Sequence, residues 1–372
     1  MPQDPISAFL AERIAAGDFP SAVYLIAEKG EVVFADAIGL AVVEPYRITA
    51  SFDTVYDLAS LTKPLLTGVL CAKRIEAGEL NLDSAVAHYL PEFKRADRQM
   101  ITVRQLLTHT SGLPAWRPLY ILAEGERDRT VGVIANEALE YEPGSRVVYS
   151  DLGFIVMGFL LERLTGKRLA ELAQLEIIEP LRLQHTFFNP EIALQTGIAA
   201  CETGNVYERE TSRTTGAAEY LNWREHVIWG EVHDGNAYFL GGAAGHAGLF
   251  STAAETLRLA SQCLADQSEL LKPETCARLF RSNMTEGLSE ARSISWQLAA
   301  TPESAAGPAL PPDSYGHSGF TGTSCWIDPH HERVLILLTN RTHARPLPFV
   351  NINSVRRQFH SLAVGALEKG GT

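Results

Sequence analysis

Apolar and polar residues alternate in short runs near both ends of the chain and recur at helical spacing in the long stretch between them. Residues 5 to 16 read as a short helix. Ala22 to Ala27 and Val32 to Ala37 are β-prone runs joined by Glu28-Lys29-Gly30, a hairpin signal. From about residue 59 to 290 the pattern turns helical, with helices predicted at 60–77, 102–108, 130–139, 151–165, 169–175 and 252–265 between Gly/Pro loops. Strand patterns return at Ser293 to Ala299, Ser314 to Ser318, Thr323 to Asp328 and Arg333 to Asn340, the last two joined by a turn at Pro329 to Glu332, and a helix at 351–367 closes the chain.

Strands at both ends with helices between them predict a mixed α/β (α+β) architecture. One central antiparallel sheet is built from both termini and flanked by the terminal helices, and it carries a large, mostly helical insertion. By this reading residues 1–58 and 288–372 form the sheet part and 59–287 the insertion, with the active site at their junction. Two local expectations accompany it. Gly241 to Gly248 (GGAAGHAG) reads as a tight, backbone-driven turn, followed by a capping box of Thr252 and Glu255. Thr301 to Pro312, rich in proline, reads as a mobile surface loop.

Composition narrows the function classes. The 372 residues are 46% apolar and 20% charged, enough to bury a sizeable core. With 32 basic against 44 acidic residues the net charge is -12, and no basic patch interrupts it, so neither nucleic acid nor an anionic membrane surface is an expected partner. Asp4, Glu12 and Asp18 fall where a secretory signal needs a basic start and an unbroken apolar core, and no apolar run reaches the roughly 20 residues of a membrane-spanning helix. Five cysteines in an odd count without C-x-x-C spacing suit buried thiols in a reducing compartment. A cytoplasmic location is expected, with no metal and no cofactor.

The chemistry is concentrated in three short segments. In Asp57-Leu58-Ala59-Ser60-Leu61-Thr62-Lys63-Pro64, Pro64 is tolerable only in a first helical turn, so a helix starts just before it and Ser60 and Lys63 share one face. A serine there gains from the positive end of the helix dipole, and a desolvated lysine beside it can titrate low enough to take its proton. Taken alone, Ser60 reads more readily as a helix cap and Lys63 as a solvated side chain. Tyr149-Ser150-Asp151 opens an apolar helix after Glu142-Pro143-Gly144-Ser145, placing a phenol and a carboxylate at a loop-to-helix junction where the phenol can relay a proton. Gly316-His317-Ser318-Gly319-Phe320-Thr321-Gly322 is a glycine-rich strand start able to bring backbone N–H groups to a ligand.

Ser60-x-x-Lys63, Tyr149-Ser150-Asp151 and His317-Ser318-Gly319, in this order, resemble the active-site boxes of the serine β-lactamase and penicillin-binding-protein superfamily, in the branch of class C β-lactamases, DD-carboxypeptidases and related esterases. Leu106 to Pro114 and Gly248 to Thr252 add to the likeness, which spans about residues 20 to 340. The resemblance implies a β-lactamase/transpeptidase-like fold, Ser60 as acylated nucleophile, and Lys63 as its proton acceptor or electrostatic partner. It further implies Tyr149 as general base and acid and an oxyanion hole from the backbone N–H groups of Ser60 and Phe320. Whether Lys63 or Tyr149 is the primary base stays open.

Two departures bear on the substrate. The second box commonly ends in Asn, which donates and accepts, whereas an ionised Asp151 only accepts. The third usually begins with Lys, whereas His317 is largely neutral at pH 7. Asp151, His317, Ser318 and Gly319 are expected on the substrate, and the changes favour less anionic esters or amides over penicillins. Trp229 to Asn236 runs into the glycine segment, and its His233 and Asp234, with His246, are expected either to line the cleft or to hold the loop by hydrogen bonds. The expected partner is a small-molecule ester, amide or muropeptide. A carboxylesterase or a cytoplasmic peptidoglycan-fragment amidase is favoured over a true β-lactamase, a DD-peptidase or a sensor that acylates without turnover. The G-x-S-x-G elbow of other serine hydrolases is not found.

Overall fold

The computed structural model describes residues 4–95, 97–214 and 220–370. Its main feature is a seven-stranded antiparallel sheet. The strands are β1 (Ser21–Glu28), β2 (Glu31–Val42), β3 (Ile48–Thr49), β6 (Gln297–Leu298), β7 (Tyr315–Ser318), β8 (Ser324–Asp328) and β9 (Arg333–Thr339), in the order β3-β2-β1-β9-β8-β7-β6. A separate pair, β4 (Tyr56–Asp57) with β5 (Phe250–Ser251), ties the start of the helical stretch to its far end. The sheet is therefore built from both termini, β1 pairing with β9 over Ala22↔Thr339 to Glu28↔Arg333.

The central strands are buried on both faces, and their period of two sorts the side chains. Val23, Leu25, Ala27, Val334, Ile336 and Leu338 enter the larger core, shared with Leu65, Leu66, Phe154 and Leu161 of the helical stretch. Tyr24, Ile26, Leu335, Leu337 and Trp326 point the other way, against Ile6 and Leu10 of the first helix (Pro5–Ala15) and Phe359 and Ala363 of the last (Asn353–Gly370). The larger core draws on residues from both sides of positions 58 and 288, so the change of pattern there is not a break in packing. The hairpin turn uses Lys29 (φ 53°) and Gly30 (φ 82°), the left-handed pair that matches strand twist.

Three expectations are corrected. The strand at Ser293 to Ala299 shrinks to Gln297–Leu298, because Ile294 and Ser295 donate their N–H groups to Leu279 and Leu107 of the helical stretch and Ser295 turns left-handed. Thr301 to Pro312 is no mobile loop: Ala305, Ala306 and Leu310 are buried in the smaller core, and His360 Nδ1 lies 2.9 Å from the Ala305 carbonyl. The Thr252 cap accepts from Glu255 N–H, but the Glu255 carboxylate accepts instead from the N–H groups of Gln184 and His185, so the box is only half made.

The GGAAGHAG segment is a tight turn, with Gly241, Gly242 and Gly248 at positive φ. Its function in the fold is close approach. A Cβ on Gly245 would stand 2.1 Å from the Phe154 carbonyl and 2.9 Å from Gly158 N, so the turn seats directly on the helix Asp151–Thr165. Gly245→Ala is accordingly expected to cost about 3 kcal/mol in chemical denaturation, at the upper end of overpacking penalties. Gly132→Ala, a helical position with open space around it, should stabilise by up to ~1 kcal/mol.

Candidate active site

Ser60 lies in a short 3-10 turn, Ala59–Leu61, directly after β4. Ala59 adopts φ 46°, a left-handed conformation that L-residues with a Cβ rarely take. Asp57 holds it there. One carboxylate oxygen accepts Ala59 N–H and the other accepts His233 N–H, both at 2.8 Å. Burial pushes the Asp57 carboxyl up, and the two N–H bonds oppose that. From the sheet side, the hydroxyls of Thr321 and Thr323 donate to the carbonyls of Asp57 and Leu58. Gly319 comes so close that a Cβ would be 2.6 Å from the Leu58 carbonyl. The turn is clamped between β7 and the 233 segment.

Lys63 opens a π-helical segment, Lys63–Gly68, that continues into the helix Val69–Glu76. Its side chain is fully buried, and each of its three protons has an acceptor: Ser60 Oγ at 3.0 Å, Asp151 Oδ1 at 2.6 Å and the His246 carbonyl at 3.1 Å. Burial disfavours the ammonium, but the Asp151 carboxylate and the Tyr149 oxygen outweigh it and hold Lys63 above its usual range. This reverses the expectation that desolvation draws the lysine down. Asp151 is likewise not aimed at substrate alone, since one of its oxygens is committed to Lys63.

Tyr149 stands beside this pair, its ring centroid 4.9 Å from Lys63 Nζ. The hydroxyl is buried without a complete hydrogen bond; burial raises the phenol above its usual range while the Lys63 charge pulls it back. Behind it His109 fills the space, its ring 4.6 Å from that of Tyr149 and 5.1 Å from Phe154. His109 Nδ1 accepts Ser150 N–H at 3.0 Å, and burial keeps the imidazole neutral by lowering its pKa well below normal. His109 thus orients the Tyr149-Ser150-Asp151 backbone.

His317 is also held neutral, first by burial and then by the charges of Lys63 and Arg292. Its Nδ1 lies 2.9 Å from the Ser318 carbonyl. In the turn that follows, Gly319 N–H donates to Thr323, while Arg356 donates to the carbonyls of Gly319 and Thr323 and Arg341 to that of Phe320. Burial, with Arg341 beside it, pushes Arg356 down to about 9. Ser318, Gly319 and Phe320 face the same cavity as Ser60, Tyr149, Asp151, His233 and His317, with a volume of about 950 Å³.

The two other histidines go different ways. His233 lines the cavity, stacks on Phe320 at 5.4 Å and pairs with Glu202 at 2.9 Å; burial opposes its charge, but Glu202 raises its pKa above normal. The His246 imidazole does not reach the cavity wall. It is buried against Asp234, 2.9 Å away, and only its backbone carbonyl serves the site, on Lys63. Asp234 stays well below the carboxylate range despite burial, because His246, the Ala237 N–H and Lys63 favour its anion. Glu208, buried next to Asp234, is pushed up to about 8 by burial and then by the Asp234 charge.

The structure adds Asp57, His109, Glu208, Arg292, Arg341 and Arg356 to the residues read from sequence. Asp57 was legible, since an aspartate two residues before Ala59 can close an Asx turn on its N–H. The arginines lie far from the boxes in sequence and carry no local signal. Among the described residues no group of three or more His, Cys, Asp or Glu gathers as metal ligands, and no helix is long and apolar enough to cross a membrane.

A serine 3.0 Å from a buried lysine, with a tyrosine ring beside the lysine, lies next to an antiparallel sheet, an arrangement that suits a serine hydrolase. The profile of the Beta-lactamase family matches residues 6–355, and the chain belongs to that family. It is 31% identical to the Escherichia coli (strain K12) protein named "Putative D-alanyl-D-alanine carboxypeptidase", over 90% of this chain and 81% of that one. It is 32% identical to the N-acetylmuramyl-L-alanine amidase of Bacillus subtilis (strain 168), over 90% and 80%. Among solved structures, EstCE1, a hydrolase with promiscuous acyltransferase activity, shares the fold with a TM-score of 0.74 at 23% identity, covering 97% of each chain. A class C beta lactamase does so with a TM-score of 0.72 at 15% identity, over 99% of this chain and 97% of that one.

Glu208 gives the site a pH signature. Its carboxyl ionises near 4.5 when unfolded and at about 8 when folded, so the folded state binds more protons between these values and stability falls as pH rises through that window. Glu208→Gln should remove this slope, and melting temperatures measured from pH 5 to 8 should show wild type losing ground to the variant.

Proposed function

We propose that the protein cleaves an amide or ester of a peptidoglycan fragment through an acyl-enzyme on Ser60, in the cleft between the 59–287 stretch and the sheet part (1–58 and 288–372). The observation that carries this reading is the Lys63 ammonium held 3.0 Å from Ser60 Oγ beside the Tyr149 phenol. The N–H groups of Ser60 and Phe320 form the oxyanion hole, where charge builds on the tetrahedral oxygen. When the Lys63–Tyr149 pair gives up one proton, Asp151 keeps the remaining one on Lys63, so the base is the Tyr149 phenolate. It accepts the Ser60 proton during attack and returns it to the departing nitrogen or oxygen. A water then attacks the acyl carbonyl and passes a proton to Tyr149, which hands it to Ser60 as the acid is released.

The leaving group is read from Arg292. This guanidinium is buried, lies 5.9 Å from the Tyr149 ring centroid and pairs through two of its nitrogens with Glu290, leaving its other terminal nitrogen without a partner. A cation beside the proton donor suits a leaving amino acid or peptide that carries a carboxylate. The two curated relatives are named for cleaving such bonds. The compartment we propose is the cytoplasm, supported by five cysteines that are all free and buried.

Intact-protein mass spectrometry after incubation with p-nitrophenyl butyrate, and separately with a penicillin, tests the nucleophile. The ester should acylate and turn over, penicillin should leave little adduct, and Ser60→Ala should abolish both signals. A persistent penicillin adduct on wild type would favour the sensor reading instead. The identity of the base is tested by pH. Asp151→Asn removes the charge that holds the proton on the pair, so the acid limb of kcat/KM should move to lower pH, with a lower kcat from the weaker base. An unmoved limb would assign Asp151 to the substrate.

A further inference from the structure

The turn after β7 rests on a buried cation that the chemistry above does not use. Arg356, from the helix Asn353–Gly370, is 6% exposed. Its guanidinium donates to the Gly319 carbonyl at 2.9 Å, the Thr323 carbonyl at 3.0 Å and the Asn353 side-chain oxygen at 2.8 Å. All three acceptors are neutral. Among the described residues no carboxylate pairs with Arg356, and the charge that acts on it is a second cation, Arg341. A buried guanidinium without a counter-ion is costly to keep. That cost is offset when negative charge develops beside it, as it does on the oxygen of a carbonyl under attack.

The bond to Gly319 is what directs the charge. The Gly319 carbonyl and the Phe320 N–H belong to one trans peptide unit, in which they point in opposite directions. A guanidinium on the carbonyl therefore fixes the aim of the N–H on the far side, and by polarising the amide it makes that N–H a stronger donor. The Gly319 carbonyl also accepts Gly322 N–H at 3.1 Å, so the turn does not depend on Arg356 alone. Among the described residues the Phe320 N–H has no protein acceptor. Gly319 packs on the Ser60 turn, where a Cβ would stand 2.6 Å from the Leu58 carbonyl. Arg341 provides the contrast. It holds the same turn through the Phe320 and Val350 carbonyls, both at 2.7 Å, but the Phe320 carbonyl lies in the next peptide unit, which does not contain that N–H.

We propose that Arg356 is a positioning residue for acylation, acting through the Gly319–Phe320 peptide to aim and polarise the Phe320 N–H toward the oxygen of the scissile carbonyl. This deepens the reading of Ser60 and Phe320 as the oxyanion hole and rests on it. As Ser60 Oγ bonds to the carbonyl carbon, its proton passes to Tyr149 and the C=O electron pair moves onto oxygen. Only then does the N–H, with the guanidinium behind it, face a negative charge. Arg356 therefore lowers the barrier to acylation and leaves the binding of an uncharged substrate unaltered.

Stopped-flow acylation by p-nitrophenyl butyrate, an uncharged ester, tests this together with inhibition by phenylboronic acid, whose tetrahedral adduct on Ser60 is an anion. Arg356→Met, and Arg356→Gln with its neutral donor, should lower the acylation rate constant by about tenfold or more and weaken the boronate by a similar factor. The half-saturating ester concentration should stay within about twofold. Arg356→Lys, which keeps the charge, should retain more activity than Arg356→Gln, and Arg341→Met should lose far less. Equal losses in Arg341→Met and Arg356→Gln, a loss confined to melting temperature or to the half-saturating concentration, or an unchanged boronate affinity overturns the proposal. Should Arg356→Met fail to fold, the comparison of Arg356→Lys with Arg356→Gln decides. If wild type and the Arg356 variants acylate equally fast, the role of Arg356 falls and the hydrolase reading stands; if nothing acylates Ser60, both fall.

Discussion

A buried ammonium is the constraint around which the rest of the site is arranged. Leaving Lys63 unpaired in the interior would cost several kcal/mol, so all three of its protons must find oxygen. The three acceptors come from residues 60, 151 and 246, which nothing in the chain brings together except the fold. Each is delivered by a different local device. A left-handed Ala59 locked by Asp57 presents Ser60, a Ser150-capped helix start presents Asp151, and a glycine turn seated on Gly158 presents the His246 carbonyl. The backbone strain and the close approach are tolerable because the ion they serve is worse off without them.

That arrangement explains what was readable in the sequence. The sheet, the terminal helices and the helix starts followed from periodicity and caps, because β1, β9 and Asp151–Thr165 are long and strongly apolar. That Ser60, Lys63 and Tyr149 come together was legible because the signal for them lies in local spacing and helix position. What failed was partner choice. Ser293 to Ala299 has a strand's pattern but spends its N–H groups on Leu279 and Leu107. Thr301 to Pro312 lacks a pattern but buries Ala306 under His360. The His246 side chain holds the loop through Asp234, one of the two readings offered for it, but the bond from Lys63 goes to its carbonyl, and no sequence pattern reports on a carbonyl.

The same limit applies to charge. Sequence offered His317 as a weakened replacement for a lysine, implying a cleft without a cation for substrate. The structure has Arg292 beside Tyr149, and Arg341 and Arg356 behind the Phe320 turn, supplied from positions 25 or more residues removed from His317 in one case and from beyond β9 in the others. Neutral His317 follows first from burial and then from Lys63 and Arg292, which disfavour a third charge there.

The buried pairs Glu202–His233 and Asp234–His246 complete the logic. Such pairs contribute little net stability, because desolvation offsets their attraction, but breaking one leaves a charge that the interior cannot accommodate. Both sit in the segment that donates His233 N–H to Asp57 and the His246 carbonyl to Lys63. An apolar segment of the same volume would pack as well and could slide. The ion pairs penalise any register but the one that keeps Asp57 under Ala59 and the carbonyl on Lys63, so their charge is spent on the position of two backbone groups, and through them on the aim of the serine.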